Sequence, residues 1–291
     1  MDNLALIILN YKSVDDTFTC VEQLLSFQEK FHIIVVDNHS PDDSFARIAE
    51  KYKDIDQVDV VDTGENRGYS AGNNFGIHYA VDRYHVDTIA ILNPDVWIPN
   101  VNVLRVMLEK LYWDDSFAVI GASVINKDET YNPAYSSWDI PSNRQVISGQ
   151  LLKSNRYKKA RTVPIIAPNL AQVECVAGCF FMAKVSHLEQ IGYLDENVFL
   201  YNEENILGIR CKRQGYKEVL AVDQFYYHNH KKSKAPLPFR KKVTINKNAY
   251  ISRKYLCKTY YSKALLPWIW CAEMINRIYL TGCYFYDKIR K

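Results

Sequence analysis

The chain has 291 residues, nearly half of them apolar, and a formal charge of only +3. That length holds one large domain, or one domain with an appendage, and excludes a chain too small to bury a core. Seven cysteines, an odd number with no CxxC pair, argue for reduced thiols in a cytosolic protein rather than a disulfide framework. Asp2-Asn3 runs directly into a strand-like segment with no basic region before it, so no secretory signal is expected. The longest apolar stretch, Ala264 to Ile275, contains Pro267 and Glu273 and falls short of the ~18 residues a membrane-spanning helix needs. The small net charge hides a split. Lys231 to Lys291 carries fifteen Lys or Arg against Glu273 and Asp287 alone, so the first 230 residues are acidic overall. Such a tail suits an anionic surface.

Leu4 to Leu9 is a continuous apolar run ending at Asn10-Tyr11, the pattern of a strand buried on both faces. Ser13 is placed to cap a helix whose Val14, Phe18, Val21, Leu24 and Leu25 share a side. Phe31 to Val36 is the next strand and ends on Asp37-Asn38, and Ser40-Pro41-Asp42-Asp43 has the form of a helix start. Gln57 to Val61 supplies a third strand. In Asn66-Arg67-Gly68-Tyr69-Ser70-Ala71-Gly72-Asn73-Asn74-Phe75-Gly76, Ser70 is placed to cap a helix to about Tyr84, whose first amides suit a phosphate. The alternative is close helix packing at the three glycines. Their spacing is not GxGxxG, which disfavours a dinucleotide-binding dehydrogenase.

Thr88 to Leu92 is a fourth strand, and it delivers Asn93, Pro94 and Asp95 to its end, where the proline stops the ladder. The β-α-β-α-β-α-β order predicts an α/β protein with a mostly parallel central sheet flanked by helices. Asp37 and Asp95 then fall at the same edge, where open α/β sheets bind ligands. Asn100 to Tyr112 is expected as a helix and Phe117 to Val124 as a strand, and Lys127 to Pro168 as an irregular insertion. Val173 to Ala183 is expected to be one strand through Gly178, with Cys175 and Cys179 buried on one face. Apolar residues next lead into Glu203-Glu204 at a helix start, where adjacent side chains diverge by about 100° and only one points into a site. Glu218 to Val222 is a further strand. His228 and His230, two apart in an extended segment, share a face, and such a pair suits a divalent ion beside Lys231, Lys232 and Lys234.

Taken together, these motifs resemble the family 2 inverting glycosyltransferases of the GT-A fold, especially the bacterial rhamnosyltransferase-like members, over roughly Leu4 to Ser233. The resemblance rests on Asn10-Tyr11, Val35-Val36-Asp37-Asn38, Asn66-Arg67-Gly68-Tyr69 through Asn73-Asn74-Phe75-Gly76, Asn93-Pro94-Asp95-Val96, Gly178-Cys-Phe-Phe-Met182, Phe199-Leu-Tyr-Asn-Glu-Glu204, and His228 with Ser233. It implies a GT-A domain over 1–230, with a nucleotide-sugar half (1–124) and an acceptor half (125–230), followed by a helical basic and aromatic tail (231–291). It further implies Asn10, Tyr11, Asp37, Arg67, Asn74 and Asn93 around the nucleotide, and Asp95, His228 and His230 on Mg²⁺ or Mn²⁺. Glu204 corresponds to the general base, with Glu203 beside it. The family's Asp-x-Asp stands here as Asn93-Pro94-Asp95, leaving one charged ligand, and its Glu-Asp pair as Glu203-Glu204.

The implied activity is inverting transfer of a sugar from dTDP-rhamnose or a UDP-hexose to a hydroxyl of a lipid-linked glycan acceptor, in bacterial surface polysaccharide such as capsule. The expected location is cytoplasmic, at the inner face of the cell membrane if the tail lies in the lipid interface. The tail's other readings are a helical pair packed on the body and a homodimer contact. A nucleotidyltransferase would want a glycine-rich loop after the first strand, which Asn10-Tyr11-Lys12-Ser13 lacks. A catalytically silent binder is the remaining alternative. The basic surface is confined to the tail and carries no recognition motif, so no nucleic-acid partner is expected.

Overall fold

A computed structural model describes residues 1–125, 133–151, 162–229 and 237–289, with the side chains of 133, 134 and 286–289 outside that description. His230, Lys231, Lys232, Ser233 and Lys234 lie outside the described residues. The first half runs β1 (Leu4–Asn10), α1 (Val14–Ser26), β2 (His32–Asp37), α2 (Ser44–Tyr52), β3 (Val58–Asp62), α3 (Tyr69–Tyr84), β4 (Thr88–Leu92), β5 (Val96–Trp97), α4 (Asn102–Leu111) and β6 (Phe117–Ile125). Then come α5 (Pro133–Ser136), β7 (Ser137–Trp138), α6 (Asn143–Ser148), β8 (Ile165–Ala167), β9 (Leu170–Val173), β10 (Cys175–Val176), β11 (Phe180–Lys184) and α7 (Val185–Ile191). The chain finishes with α8 (Glu203–Arg213), β12 (Lys217–His228), α9 (Phe239–Tyr260) and α10 (Leu266–Ile289).

The main sheet is ordered β3-β2-β1-β4-β11-β6-β12-β9-β8. Strands β3, β2, β1 and β4 are parallel neighbours, and β6 and β12 run the same way beyond an inserted antiparallel β11. Alternation along β1 explains why both faces are covered. Leu4, Leu6 and Ile8 enter one core with residues of α1 and α4, while Ala5 and Ile7 enter the other with residues of α3 and α7. The order 3-2-1-4 reverses between β1 and β4, and such a switch point opens a crevice at the carboxyl ends of the strands.

Several local expectations change. Helix α2 begins at Ser44, not at Ser40, because the Ser40 amide is drawn to Asp37 Oδ1 at 2.6 Å. Helix α3 begins at Tyr69 with Gly68 as its cap, so Ser70 is buried rather than capping. Its Gly72 and Gly76 are packing glycines: a Cβ there would come within 2.5 Å of Leu9 and 2.6 Å of Ile7 side-chain atoms on β1. The insertion is not wholly irregular, since Ser142 and Gln145 form a reciprocal capping box that starts α6. The long strand through Gly178 breaks into β10 and β11. Cys175 stays buried, while Cys179 turns out of the ladder to meet the Tyr226 hydroxyl at 3.1 Å.

The tail is tied to the body. Ile269, Ala272, Glu273, Asn276 and Leu280 form the buried face of α10. Buried Glu273 accepts from Gln150 Nε2 (3.1 Å), Asn246 Nδ2 (2.8 Å) and Arg277 Nε (2.8 Å), so this charge is paired and hydrogen-bonded. On α9, the Tyr255 and Tyr260 hydroxyls donate to Asp195, which also pairs with Arg210 at 2.8 Å. No helix among the described residues is long and apolar enough to cross a membrane.

Candidate active site

Parallel register puts the strand-end residues on one edge: Asn10 lies opposite Asp37, and Asp37 opposite Asp62. The Asn10 amide donates to Asp37 Oδ2 at 2.6 Å, while Asn10 Oδ1 accepts from the Ser13 amide (3.1 Å) and the Thr17 hydroxyl (3.0 Å). Asn10 therefore joins the start of α1 to the end of β2. Asp37 is fully buried, with its oxygens on Asn10 and the Ser40 amide, so it shapes the floor of the edge rather than its surface. Tyr11, 45% exposed, stands at the rim.

From Asp37 a continuous set of contacts crosses the edge. Asn38 donates to Asn66 Oδ1 and to the Gly68 carbonyl, both at 3.2 Å. The next residue, Tyr69, takes the Phe199 carbonyl with its amide at 3.0 Å and the Gly178 carbonyl with its hydroxyl at 2.5 Å. Gly178 then abuts the second acidic pair. A Cβ on it would fall 2.9 Å from Glu204 Oε1, so a glycine is what lets that carboxylate lie against the turn.

Glu203 and Glu204 open α8 and diverge as helix geometry requires. Glu203 is 7% exposed and its Oε1 accepts from the Tyr201 amide at 2.6 Å. Burial, and then the neighbouring Glu204 carboxylate, push its carboxyl up to about 8. The same burial favours the neutral form of Glu203, while Glu204 is the member laid against Gly178.

On the other side of Gly178, Cys179 accepts the Asn93 amide on its carbonyl at 2.8 Å. The Val96 amide donates to the Asn93 carbonyl (3.0 Å), closing a turn through Pro94 and Asp95, and β5 pairs antiparallel with the end of β12, setting Val96 opposite His228. His228 Nε2 is 3.2 Å from Asp95 Oδ1, both side chains about one-fifth exposed. Burial lowers the His228 imidazole, but the Asp95 carboxylate and the Cys179 sulfur outweigh it and hold it up at about 10. A divalent cation held there would have to displace that proton from Nε2.

Asp95 and His228 are therefore brought together, and His230 falls outside the described residues. Among the described residues no cluster of three or more His, Cys, Asp or Glu is placed to hold a metal. An oxygen and a nitrogen donor fit Mg²⁺ or Mn²⁺ only where substrate oxygens and water complete the shell, which is how such ions bind diphosphates.

Arg67 and Asn74 both meet the loop that carries Glu196. The Arg67 guanidinium is paired with Glu196 at 3.0 Å. Asn74 is 3% exposed and holds the Leu194 backbone in both directions (2.9 and 3.1 Å) as well as Glu196 at 2.9 Å, so it fastens a loop instead of facing a nucleotide. Sequence reasoning missed Tyr69, Cys179 and Glu196 as site members. The first two sit inside recognised motifs, and Glu196 has no local signal because its partners are more than a hundred residues away.

A mostly parallel α/β sheet thus gathers strand-end acids at its switch point, beside a helix-start glutamate pair and a histidine facing one of those acids. The model of the family "Glycosyl transferase family 2" matches residues 6–191, and the chain belongs to that family. It is 30% identical over 215 residues to the low-salt glycan biosynthesis hexosyltransferase Agl10 of Haloferax volcanii, covering 74% of this chain and 63% of that protein. The chain thus spans less than two thirds of that relative's length. It is 23% identical over 239 residues to the N-acetylglucosaminyl-diphospho-decaprenol L-rhamnosyltransferase of Mycobacterium tuberculosis, covering 78% of this chain and 76% of that one.

The fold is shared with a mannosyltransferase from Pyrobaculum calidifontis solved with GDP-Man and Mn²⁺ (TM-score 0.53, 14% identity, 93% of this chain and 73% of that one). It is also shared with GalNAc-T7 solved with UDP, GalNAc and Mn²⁺ (TM-score 0.58, 12% identity, 81% and 45%). The sheet and flanking helices are therefore of the expected GT-A kind.

Proposed function

We propose that this chain transfers a sugar from a nucleoside-diphosphate donor to a hydroxyl of a glycan, with inversion at the sugar carbon. The observation that carries the reading is the Gly178-Cys179 turn, which has Glu204 against one residue and the Asp95–His228 pair beside the other. Glu204 takes the proton of the acceptor hydroxyl as its oxygen attacks. The bond from the sugar carbon to the diphosphate oxygen breaks on the opposite side, so a single displacement inverts the centre. Asp95 and His228 would hold the Mg²⁺ or Mn²⁺. When bound, that ion supplies neutralisation of charge on the departing diphosphate. Asp37, Asn10 and Tyr11 shape the nucleotide end, with Asn93 at the turn between nucleotide and diphosphate.

The hexosyltransferase and L-rhamnosyltransferase names of the relatives support a hexose or rhamnose as the sugar, for which we take a UDP-hexose or dTDP-rhamnose as donor. The diphospho-decaprenol in one name supports a lipid-linked acceptor, which we assign to surface polysaccharide synthesis. The test is nucleoside-diphosphate release from a panel of nucleotide sugars with Mg²⁺ or Mn²⁺. Asp95→Ala is expected to lower turnover on the order of 10²-fold. Failure to turn over or bind any donor overturns the reading.

A lipid-linked acceptor also gives the outer face of α10 a role. Trp268 (63% exposed), Ile275 (57%), Ile278 (74%) and Phe285 (56%) remain in solvent, while α9 exposes Arg240, Lys241, Lys247, Lys254 and Lys258. Apolar and aromatic residues beside basic charge suit the interface of an anionic membrane at the cytoplasmic face. Wild type is expected to float with anionic liposomes and not with neutral ones, and Trp268→Ser with Ile278→Ser to lose most of that binding. Equal flotation of the double variant removes the membrane role, and a concentration-dependent dimer that it abolishes assigns the face to a homodimer.

A further inference from the structure

The turn into the glutamate pair is held in an unusual way. Tyr201 (φ 75°) and Asn202 (φ 69°) are consecutive left-handed residues, neither of them glycine, directly before Glu203. For a bulky side chain such as tyrosine this region is disfavoured, and it persists only where the surroundings over-determine it. The over-determining group comes from the tail. Ser252 of α9 is 2% exposed, and its hydroxyl accepts from Asn202 Nδ2 at 2.9 Å while donating to the Tyr201 carbonyl. One hydroxyl proton and one lone pair thus fasten both left-handed residues at once.

The clamp is braced on each side. Asn202 Oδ1 accepts from Asn205 Nδ2 at 3.0 Å, and Asn205 Oδ1 accepts from Trp138 Nε1 at 2.9 Å. The other end of the same loop is held by α9 as well, through Tyr255 and Tyr260 on Asp195. Between these anchors lies Phe199, whose carbonyl meets Tyr69.

We infer that Ser252 is a positioning residue for Glu204: by fixing Tyr201 and Asn202 in left-handed conformations, it sets the direction in which α8 starts. That direction turns Glu203 into the protein and lays Glu204 against Gly178. The tail is then part of the reaction centre's support and not only a means of attachment. This inference rests on Glu204 being the base of the proposed reaction.

The experiment uses the full chain carrying Ser252→Ala. Its kcat is expected to fall about 10- to 100-fold, the range for a catalytic group displaced by an ångström or less, with the donor KM within about twofold. A role in stability alone lowers the folded fraction and leaves kcat per folded molecule unchanged. In an Asn202→Gly background, where glycine adopts the left-handed angle unaided, the further loss from Ser252→Ala is expected to shrink to about threefold. Amide exchange over residues 199–206 reads the clamp without turnover and is expected to quicken by about fivefold or more in Ser252→Ala.

Unchanged exchange overturns the inference irrespective of what the enzyme does. Faster exchange with unchanged kcat in an active enzyme overturns the link from Ser252 to Glu204 and leaves the proposed function standing. A wild type that turns over no donor overturns the proposed function, and with it the link to a base.

Discussion

Glu204→Gln is expected to lower kcat by about 10²–10⁴-fold with little change in the donor KM, because it removes a proton acceptor and almost nothing else. Glutamine has the shape of glutamate, so it fits the space that Gly178 leaves, where a Cβ would stand 2.9 Å from Oε1 and 3.1 Å from Cγ of residue 204. The adjacent acid supplies the control. Burial and the Glu204 carboxylate raise the Glu203 carboxyl to about 8, which favours its neutral form, and its Oε1 accepts the Tyr201 amide, which a glutamine oxygen does equally well. Glu203→Gln is therefore expected to stay within about tenfold of wild type, below the range for loss of a general base. Steady-state kinetics with the best donor distinguish the two. If Glu203→Gln is the dead variant and Glu204→Gln is active, the base has been assigned to the wrong glutamate.

The largest structural effect is expected from Gly68→Ala. Gly68 has φ 101° and ψ −174°, a region open essentially to glycine alone. A Cβ on it would lie 2.2 Å from the Phe199 carbonyl oxygen and 2.7 Å from the Phe199 Cα, both backbone atoms that no rotamer change can move aside. Backbone strain and overpacking each cost about 1–3 kcal/mol, so a loss of about 3 kcal/mol or more is expected, a large part of the roughly 5–15 kcal/mol that keeps a domain folded. Gly64→Ala is the matched comparison. It also has a positive φ, 73°, but nothing lies within 4 Å of its Cβ, so only the backbone term of about 1 kcal/mol applies. Urea unfolding of the two variants measures the difference, and equal destabilisation would mean that the Phe199 loop yields freely. Because that loop leads into Tyr201, Asn202 and the glutamates, Gly68→Ala is expected to lose activity along with stability.

Much of the active edge was legible from local pattern. Apolar runs that stop at Asn10, Asp37 and Leu92 announce buried parallel strands, and parallel strands separated by helices must deliver their last residues to one side. Asp95 and His228 were both readable as candidates, the first from the proline after Asn93 and the second from an extended aromatic segment. Their pairing at 3.2 Å depends on β5 adding to β12 across more than a hundred residues. Asn74 shows the opposite case, since its motif placed it with the nucleotide residues while the fold uses both ends of its amide on the Leu194–Glu196 loop.

The sequence alone determined the alternation of strands and helices through β4, the edge at which Asp37 and Asp95 end their strands, and the contrast in charge between an acidic body and a basic tail. Those follow from periodicity, strand-terminating residues and charge, all of which act within a few positions along the chain. Tertiary structure alone decided which glutamate is buried and which lies against Gly178, why Gly68 has to be glycine, and that a serine in the tail holds the turn before Glu203. Burial, close approach and left-handed backbone are set by neighbours distant in sequence, and no local pattern carries that information.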